Sequence, residues 1–313
     1  MSEKIATREA YGKALVQIGA ENPDVVVLDA DLSKSTKTID FKKAYPDRFF
    51  DFGVAEQNMI GTAAGLAAAG KIPFCSSFAV FATGRVFDQV RQSVAYPRLN
   101  VKIGASHAGI TVGEDGSSHQ SIEDIALMRV LPNVTVFVPA DAVEVAGAVR
   151  AAAAINGPVY IRLGRAPVPV LHGEDFVFKP GEAVMLRDGN DATIISTGIM
   201  VAVALEAADA LSREGIEVRV LDIHTIKPID VSAVVQAARE TGAVVTAEEH
   251  SIIGGLGSAV AEVLAENYPV PLKRVGIEDS FGESGKPDEL MAKYGLTSAN
   301  IVLSVKRAMK RKR

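Results

Sequence analysis

A polar loop at residues 107–120, HAGITVGEDGSSHQ, holds the residue types best suited to chemistry. His107 and His119 stand near its ends, with the adjacent pair Glu114 and Asp115 between them. Such a loop can bind a metal ion, form a nucleophile triad, cradle a phosphate or line a sugar-binding rim. The first two interpretations are weak, because the glycines and paired serines disfavour a helix with fixed ligand spacing and the serines lack a G-x-S-x-G turn.

A second candidate, Glu56, begins a segment of small and apolar residues that Gly70 closes, EQNMIGTAAGLAAAG. A glutamic acid held protonated at the head of a buried helix can donate a hydrogen bond to a ring nitrogen of a cofactor. The alternative is a helix-start residue favoured by the helix dipole. Phe78 and Phe81, three residues apart, form either an aromatic wall or part of a helix core. Spacing alone leaves both questions open.

Alternating short β-branched runs and longer alanine-rich segments predict an α/β protein, with parallel strands joined by right-handed helical crossovers. Strands are predicted at 25–30, 71–77, 100–106, 134–140, 159–164, 192–197, 216–222, 243–249 and 272–278. Helices are predicted at 7–20, 55–69, 82–95, 121–130, 141–154, 199–213, 230–240 and 255–266.

The pattern predicts two doubly wound α/β domains with mostly parallel sheets. They span residues 1–165 and 183–313, and a linker rich in proline and glycine joins them at 166–182. A glycine-rich helix entry in the second domain, IIGGLGSAVAEVL, is a poor dinucleotide motif, because Val260 stands where glycine or alanine is required. A simple tight turn is the better interpretation.

Composition narrows the function classes. The 313 residues are 48% hydrophobic and 23% charged with a net charge of −5, which is typical of a soluble globular protein and provides no basic face for nucleic acid. The basic tail, KRAMKRKR, is expected to be a solvated, frayed end. The single cysteine, Cys75, is expected to be a buried, inert thiol. With no membrane-length apolar run and no signal-peptide core, we expect a cytoplasmic protein that does not contact a membrane.

Several motifs in order resemble the C-terminal half of transketolase, from its pyrimidine-binding domain onward. They lie within residues 4–165, the combination of GVAEQNM with GEDGSSHQ is specific, and the second domain resembles the family's C-terminal domain more loosely. The motifs are KIATREAYGKAL, LDADLSKST, FDFGVAEQNM, PFCSSFAVF, ASHAGITVGEDGSSHQSIEDIALMRVLPNVTVFVPAD and RLGR. The resemblance implies a transferase that moves a two-carbon ketol unit from a ketose phosphate to an aldose phosphate with thiamine diphosphate.

The resemblance also implies roles for individual residues. Glu56 would bond the aminopyrimidine ring of the cofactor and promote its imino form. Phe81 would stack on that ring with Phe78 beside it, and Asp31 in LDADLSKST would help to place the thiazolium.

The substrate residues follow in the same way. Arg8, Ser35, His107 and Arg165 would clamp the sugar phosphate, a role that suits guanidinium groups. Asp115 would accept the substrate hydroxyl beside the reacting carbon, and His119 would bond the donor's terminal hydroxyl and carbonyl. The polar loop would then be a sugar-binding rim, and no metal ligand is predicted in this chain.

Two departures from the family pattern matter. Gly84 stands where the family often has a tyrosine, and the GDG motif with which the family's other half binds diphosphate and magnesium does not occur. The resemblance therefore implies a split enzyme. An N-terminal partner subunit would supply the diphosphate site with Mg²⁺ or Ca²⁺, in an assembly with two copies of each chain.

Other functions compete with this hypothesis. A 2-oxo acid dehydrogenase beta subunit shares the A-E-Q start but is not expected to carry GEDGSSHQ, and deoxyxylulose-phosphate synthase usually lacks a histidine at position 107. A noncatalytic regulatory subunit is disfavoured by the presence of Glu56, Asp115 and His119 together. A NAD-dependent enzyme is the least favoured. The ketose, the aldose and the pathway, pentose phosphate or sugar degradation, stay open.

Overall fold

The structure is a computed structural model that describes residues 3–173 and 175–312. Its strands are β1 (Lys4–Ala6), β2 (Val25–Asp29), β3 (Phe49–Asp51), β4 (Ile72–Phe78), β5 (Lys102–Ser106), β6 (Thr135–Phe137), β7 (Val159–Arg162), β8 (Pro167–Pro169), β9 (Val184–Arg187), β10 (Ala192–Ser196), β11 (Val218–Asp222), β12 (Thr225–Lys227), β13 (Val244–Ser251) and β14 (Leu272–Ile277).

The helices alternate with these strands. They are α1 (Thr7–Glu21), α2 (Ser33–Thr36), α3 (Ile39–Ala44), α4 (Glu56–Ala68), α5 (Ala79–Thr83), α6 (Phe87–Gln89), α7 (Asp124–Val130), α8 (Ala142–Ala154), α9 (Met200–Ser212), α10 (Val231–Thr241), α11 (Leu256–Asn267), α12 (Pro287–Lys293) and α13 (Ser298–Met309). The predicted α/β class with mostly parallel sheets is confirmed.

The first sheet has the strand order β12-β6-β7-β5-β4-β2-β3. All of its neighbouring strands run parallel except β12, which is antiparallel to β6. Because β2, β4 and β5 are parallel neighbours, their carboxyl ends meet at one edge of the sheet. This edge carries Asp31, Phe78 and His107, which lie at or just after the ends of the three strands.

The second sheet has the order β14-β13-β10-β11-β9, with β9 antiparallel at one edge. Strand pairing also connects the predicted domains and the predicted linker. Strand β8, inside the predicted linker, pairs with β1, and β12 of the second half adds to the first sheet. One apolar cluster contains Met59 and Ile125 of the first half together with Leu221 and Leu256 of the second. The two halves therefore share a core.

The predicted helix at 82–95 is broken. The chain forms α5, then leaves helical geometry at Val86 (φ −112°, ψ 14°), and resumes as α6 followed by a π-helix at Val90–Ala95. Apolar spacing does not reveal this break, since Val86, Val90 and Val94 are spaced as in a continuous helix and are all buried. The break places Arg85 at the surface beside Glu56.

The basic tail is more ordered than the sequence predicts. Helix α13 extends to Met309, and Lys306 forms an ion pair with Glu214. Buried Ile301 and Val305 hold the helix on the second sheet's core, so the first half of the tail is not frayed. Arg313 lies outside the described residues.

Across residues 3–173 and 175–312, no helix is both long and apolar enough to cross a membrane.

Candidate functional site

Glu56 is the first residue of α4, and only 2% of its surface is exposed. Asp51, at the end of β3, shapes the turn before this helix: its Oδ1 accepts hydrogen bonds from Gly53 N at 3.1 Å and from Asp31 N at 3.0 Å. Gly53 and Asp31 both have positive φ, 64° and 62°. One carboxylate therefore ties the segment that carries Asp31 to the segment that presents Glu56.

Four aromatic or imidazole rings gather at the carboxyl end of β4. Phe78, at the end of β4, is stacked on Phe81 with ring centroids 6.0 Å apart and on His107 at 3.7 Å. His119 meets Phe81 edge-on at 5.5 Å. The aromatic pair predicted from a three-residue spacing is thus extended by both histidines of the polar loop.

Arg85 connects Glu56 to this aromatic group. Its Nη1 lies 3.0 Å from Glu56 Oε1, and its guanidinium carbon lies 4.1 Å from the centroid of the Phe81 ring. A single flat, nitrogen-bearing group therefore contacts a buried carboxylate and an aromatic face at once. An aminopyrimidine ring is also flat, and its ring nitrogens and amino group can hydrogen-bond a carboxyl group, so Glu56 and Phe81 fit the group that the family resemblance implies.

The predicted phosphate clamp is partly assembled. Arg8 Nη1 donates to the backbone oxygen of Ser35 at 2.9 Å and lies 3.4 Å from His107 Nε2, and Ser106 Oγ lies 2.9 Å from His107 Nδ1. Burial, reinforced by Arg8 and Arg165, lowers the pKa of His107 to about 3. The imidazole is therefore neutral, and the positive charge of the clamp resides on the two arginines.

Arg165 reaches toward the polar loop. Its Nη1 lies 3.5 Å from a carboxylate oxygen of Glu114 and 4.0 Å from one of Asp115, and it donates to the backbone oxygen of Val112. The Asp115 side chain is 41% exposed. Asp115 and Glu114 thus stand at an open rim, where an incoming ligand can reach them.

Within residues 3–173 and 175–312, no three His, Cys, Asp or Glu side chains of this loop converge as metal ligands would. His107 Nδ1 and His119 Nδ1 each face the hydroxyl of the preceding serine, and neither histidine is hydrogen-bonded to a carboxylate there. Cys75 is fully buried, and burial raises the pKa of its thiol, as expected for an inert residue.

Residues of the second half of the chain hold the loop in place through hydrogen bonds that the sequence did not predict. Glu249 Oε1, at the end of β13, accepts from Thr111 N at 2.7 Å. Gln120 Nε2 donates to the backbone oxygens of Ile110 at 3.2 Å and Glu283 at 2.8 Å. These partners lie 138 and 163 positions apart in sequence, and no local pattern links them.

Gly109 lies in close contact with the side chain of Glu249. It has φ +80°, and a Cβ on it would lie 2.2 Å from the Glu249 carboxylate. Arg162 Nη2 donates to Glu249 O at 2.8 Å, and Arg162 is itself held by the buried carboxylate of Asp124. The loop therefore rests on a buried charged network that joins both halves.

Asp29 was also missed as a positioning residue. It is fully buried at the end of β2, and its carboxylate accepts from Leu32 N at 2.7 Å, from Thr36 Oγ1 at 2.7 Å and from Thr38 Oγ1 at 2.8 Å. This fixes the short helix α2 that presents Ser35 to Arg8. Desolvation raises the pKa of Asp29 to about 6, although these hydrogen bonds oppose the shift.

Comparison with known proteins identifies the family. Residues 3–170 match the model of the transketolase pyrimidine-binding domain, and residues 181–301 match that of the transketolase C-terminal domain. The chain belongs to the transketolase family.

Its relatives in this family include separate subunits and whole enzymes. It is 50% identical over 305 residues to the 6-deoxy-6-sulfo-D-fructose transketolase subunit SqwH of Clostridium sp. (strain MSTE9), covering 97% of this chain and 95% of that protein. It is 40% identical to the transketolase of Rattus norvegicus over 310 residues, 98% of this chain but 49% of that protein.

A solved structure described as "Split gene transketolase, inactive beta4 tetramer" is 61% identical, with a TM-score of 0.93 over 99% of this chain and 100% of that one. The predicted family is thereby confirmed. This chain corresponds to about half of a whole transketolase and to nearly the whole of a transketolase subunit.

Proposed function

We propose that this chain is the C-terminal subunit of a split transketolase and that it transfers a two-carbon ketol unit from a ketose phosphate to an aldose phosphate. The observation that carries the proposal is the contact of one flat cationic group, the Arg85 guanidinium, with both Glu56 and Phe81. Glu56 and Phe81 would hold the aminopyrimidine of thiamine diphosphate in the same two contacts, with Phe78 behind Phe81.

When bound, thiamine diphosphate supplies the electron sink of the reaction. The protein residues supply binding and orientation. Glu56 would hydrogen-bond the pyrimidine ring, and Asp31 would help to place the thiazolium. Asp115 and His119 bond the hydroxyl and carbonyl groups of the donor sugar at the exposed rim.

The substrate would be anionic at one end. Arg8 and Arg165 provide two fixed positive charges, and neutral His107 and the Ser35 segment complete a small polar clamp. A phosphate is the expected ligand. The name of the Clostridium relative points to a sulfonated sugar, and a sulfonate is likewise a tetrahedral oxyanion, so assays should include both.

The active form would contain a partner. We infer an N-terminal transketolase subunit that holds the diphosphate and Mg²⁺ or Ca²⁺, with two copies of each chain, in the cytoplasm. The relatives support this proposal: one is named as a subunit, and another is described as an inactive tetramer of a split-gene enzyme.

The test is the Glu56→Gln substitution, with the exposed Glu206→Gln as a matched control. Cofactor binding by calorimetry and ketol transfer should be measured with and without the partner subunit. Loss of the general acid–base group is expected to lower transfer by about 10²-fold to 10⁴-fold, while circular dichroism and assembly stay unchanged.

Full transfer activity in the Glu56→Gln variant would overturn the proposal. Activity with pyruvate and an aldehyde phosphate instead of a ketose donor would favour a deoxyxylulose-phosphate-synthase-like enzyme. A 2-oxo acid decarboxylation without ketol transfer would favour a dehydrogenase beta-like subunit. A partner subunit that transfers ketol units without this chain, and whose activity this chain only modulates, would indicate a regulatory role.

A further inference from the structure

Three potential metal ligands meet where the two halves of the chain join, away from the site described above. They are Glu144 in the first turn of α8, His172 in the segment after β8, and Asp222 at the end of β11. One ligand atom from each lies within 4.8 Å of the others. The three residues come from the first half, the connecting segment and the second half, so sequence spacing gives no sign of the group.

Each of these side chains has a buried atom without a hydrogen-bond partner in the described residues. The atoms are Glu144 Oε1, His172 Nε2 and both carboxylate oxygens of Asp222. Glu144 and Asp222 have no exposed surface, and His172 is 9% exposed. Unpartnered polar atoms are costly to bury. Three such groups directed at one point indicate a ligand that is shared among them.

The outer partners of this group orient it as the outer partners of metal ligands do. Asp141 Oδ2 lies 3.1 Å from His172 Nδ1 and accepts from Leu171 N and His172 N. When the imidazole is neutral and donates from Nδ1 to Asp141, the lone pair of Nε2 is free for a metal ion. Glu144 Oε2 accepts from Ala140 N at 2.7 Å, which leaves Oε1 free, 3.6 Å from His172 Nε2.

We propose that Glu144 Oε1, His172 Nε2 and the Asp222 carboxylate bind a divalent first-row metal ion. One imidazole and two carboxylates suit Zn²⁺ or Mn²⁺, and the imidazole favours zinc. In the described residues, no lysine or arginine forms an ion pair with Asp141, Glu144 or Asp222, so the positive charge that faces them is that of His172 when it is protonated, or that of a bound ion that displaces this proton. The bound ion joins both halves and the connecting segment.

The purified full-length chain, freed of metal with a chelator, should be dialysed against Zn²⁺, Mn²⁺ or Mg²⁺ and the bound metal measured. We expect one tightly held Zn²⁺ per chain, weaker Mn²⁺ and little Mg²⁺. Co²⁺ used as a spectroscopic probe should show the visible absorption of a low-coordinate site with a histidine ligand. The melting temperature should rise with Zn²⁺ concentration.

Asp222→Asn and His172→Gln should each weaken Zn²⁺ binding at least 10-fold and abolish the thermal shift. The exposed Asp279→Asn variant is the matched control and should behave as the unmodified chain.

The unmodified chain decides the proposal even if a variant fails to fold. Less than one equivalent of Zn²⁺ at saturation would overturn it, as would binding that Asp222→Asn and His172→Gln both leave unchanged. In that case Glu144 and Asp222 share a proton, in keeping with the direction in which burial shifts the pKa of both carboxyls, which is upward.

Discussion

The guanidinium of Arg85 lies 3.0 Å from the carboxylate of Glu56, which is otherwise buried. The same guanidinium covers the face of Phe81, and the Arg85 side chain is 44% exposed. Under the proposed function, this contact occupies the two groups that the cofactor's pyrimidine requires. The arginine must therefore move aside before the cofactor binds, and the break in the helix at Val86 places it where it can swing toward solvent.

Arg85→Ala should consequently tighten the binding of thiamine diphosphate to the assembled enzyme. A partly exposed ion pair and a cation–π contact each contribute about 0.5–1 kcal/mol, so the dissociation constant should fall by about 5-fold to 30-fold. Calorimetry measures this directly, and the exposed Arg91→Ala is the control. Weaker binding in the Arg85→Ala variant would mean that the arginine holds the cofactor instead of competing with it.

Gly109→Ala should destabilise the protein more than Gly70→Ala. Both glycines have positive φ, +80° and +89°, so both substitutions strain the backbone. A Cβ at Gly70 meets open space, whereas one at Gly109 meets the Glu249 carboxylate. We expect an additional loss of about 1–3 kcal/mol in the free energy of unfolding for Gly109→Ala.

Urea denaturation of the two glycine variants measures that difference. Ketol transfer should also fall in Gly109→Ala alone, because the displaced loop carries Asp115 and His119. Equal stability of the two variants would show that Glu249 yields easily and does not brace the loop.

Asp29 should make stability fall as pH rises through the mildly acid range. Its pKa of about 6 in the folded protein lies above the unfolded value of about 3.9, so the folded state holds the proton more tightly and loses stability as the carboxyl ionises. Asp29→Asn removes this dependence. Between pH 4.5 and 7, the unmodified chain should lose about 2 kcal/mol relative to the variant.

Urea denaturation of both proteins at the two pH values checks this expectation. Parallel pH dependence would contradict it and would indicate that Asp29 titrates in the folded protein as it does in the unfolded chain.

Arg8→Ala should impair the use of a phosphorylated donor more than that of an unphosphorylated one. If Arg8 binds the sugar phosphate, loss of a charge-assisted hydrogen bond worth about 1.5–3 kcal/mol should raise KM for a ketose phosphate by about 10-fold to 100-fold. KM for an unphosphorylated ketose should change little. Steady-state kinetics with both donors, beside the exposed Arg213→Ala control, measures the effect. An equal loss on both donors would assign Arg8 a structural role through its bond to Ser35.

The sequence by itself determined the family, the fold class and most elements of regular structure. Short runs of β-branched residues specify buried strands such as β2, and helical spacing of apolar residues specifies helices such as α1, because these segments must bury their apolar side chains wherever they pack. The chemistry-bearing residues were also identified from the sequence, since GVAEQNM and GEDGSSHQ are local motifs. The roles assigned to their residues stay predictions, as do the domain boundaries.

Only the tertiary structure showed which distant residues contact and position these motifs. Glu249 bonds the loop from a distant position, and Gln120 in the loop bonds the equally distant Glu283. Arg85 meets Glu56 across a helix break that hydrophobic spacing conceals, and β12 joins the sheet of the other half. Glu144, His172 and Asp222 likewise converge only after both halves pack on a shared core. Contacts of this kind form because residues distant in sequence are brought together and buried in the folded chain, and the spacing of residues along the sequence does not specify either.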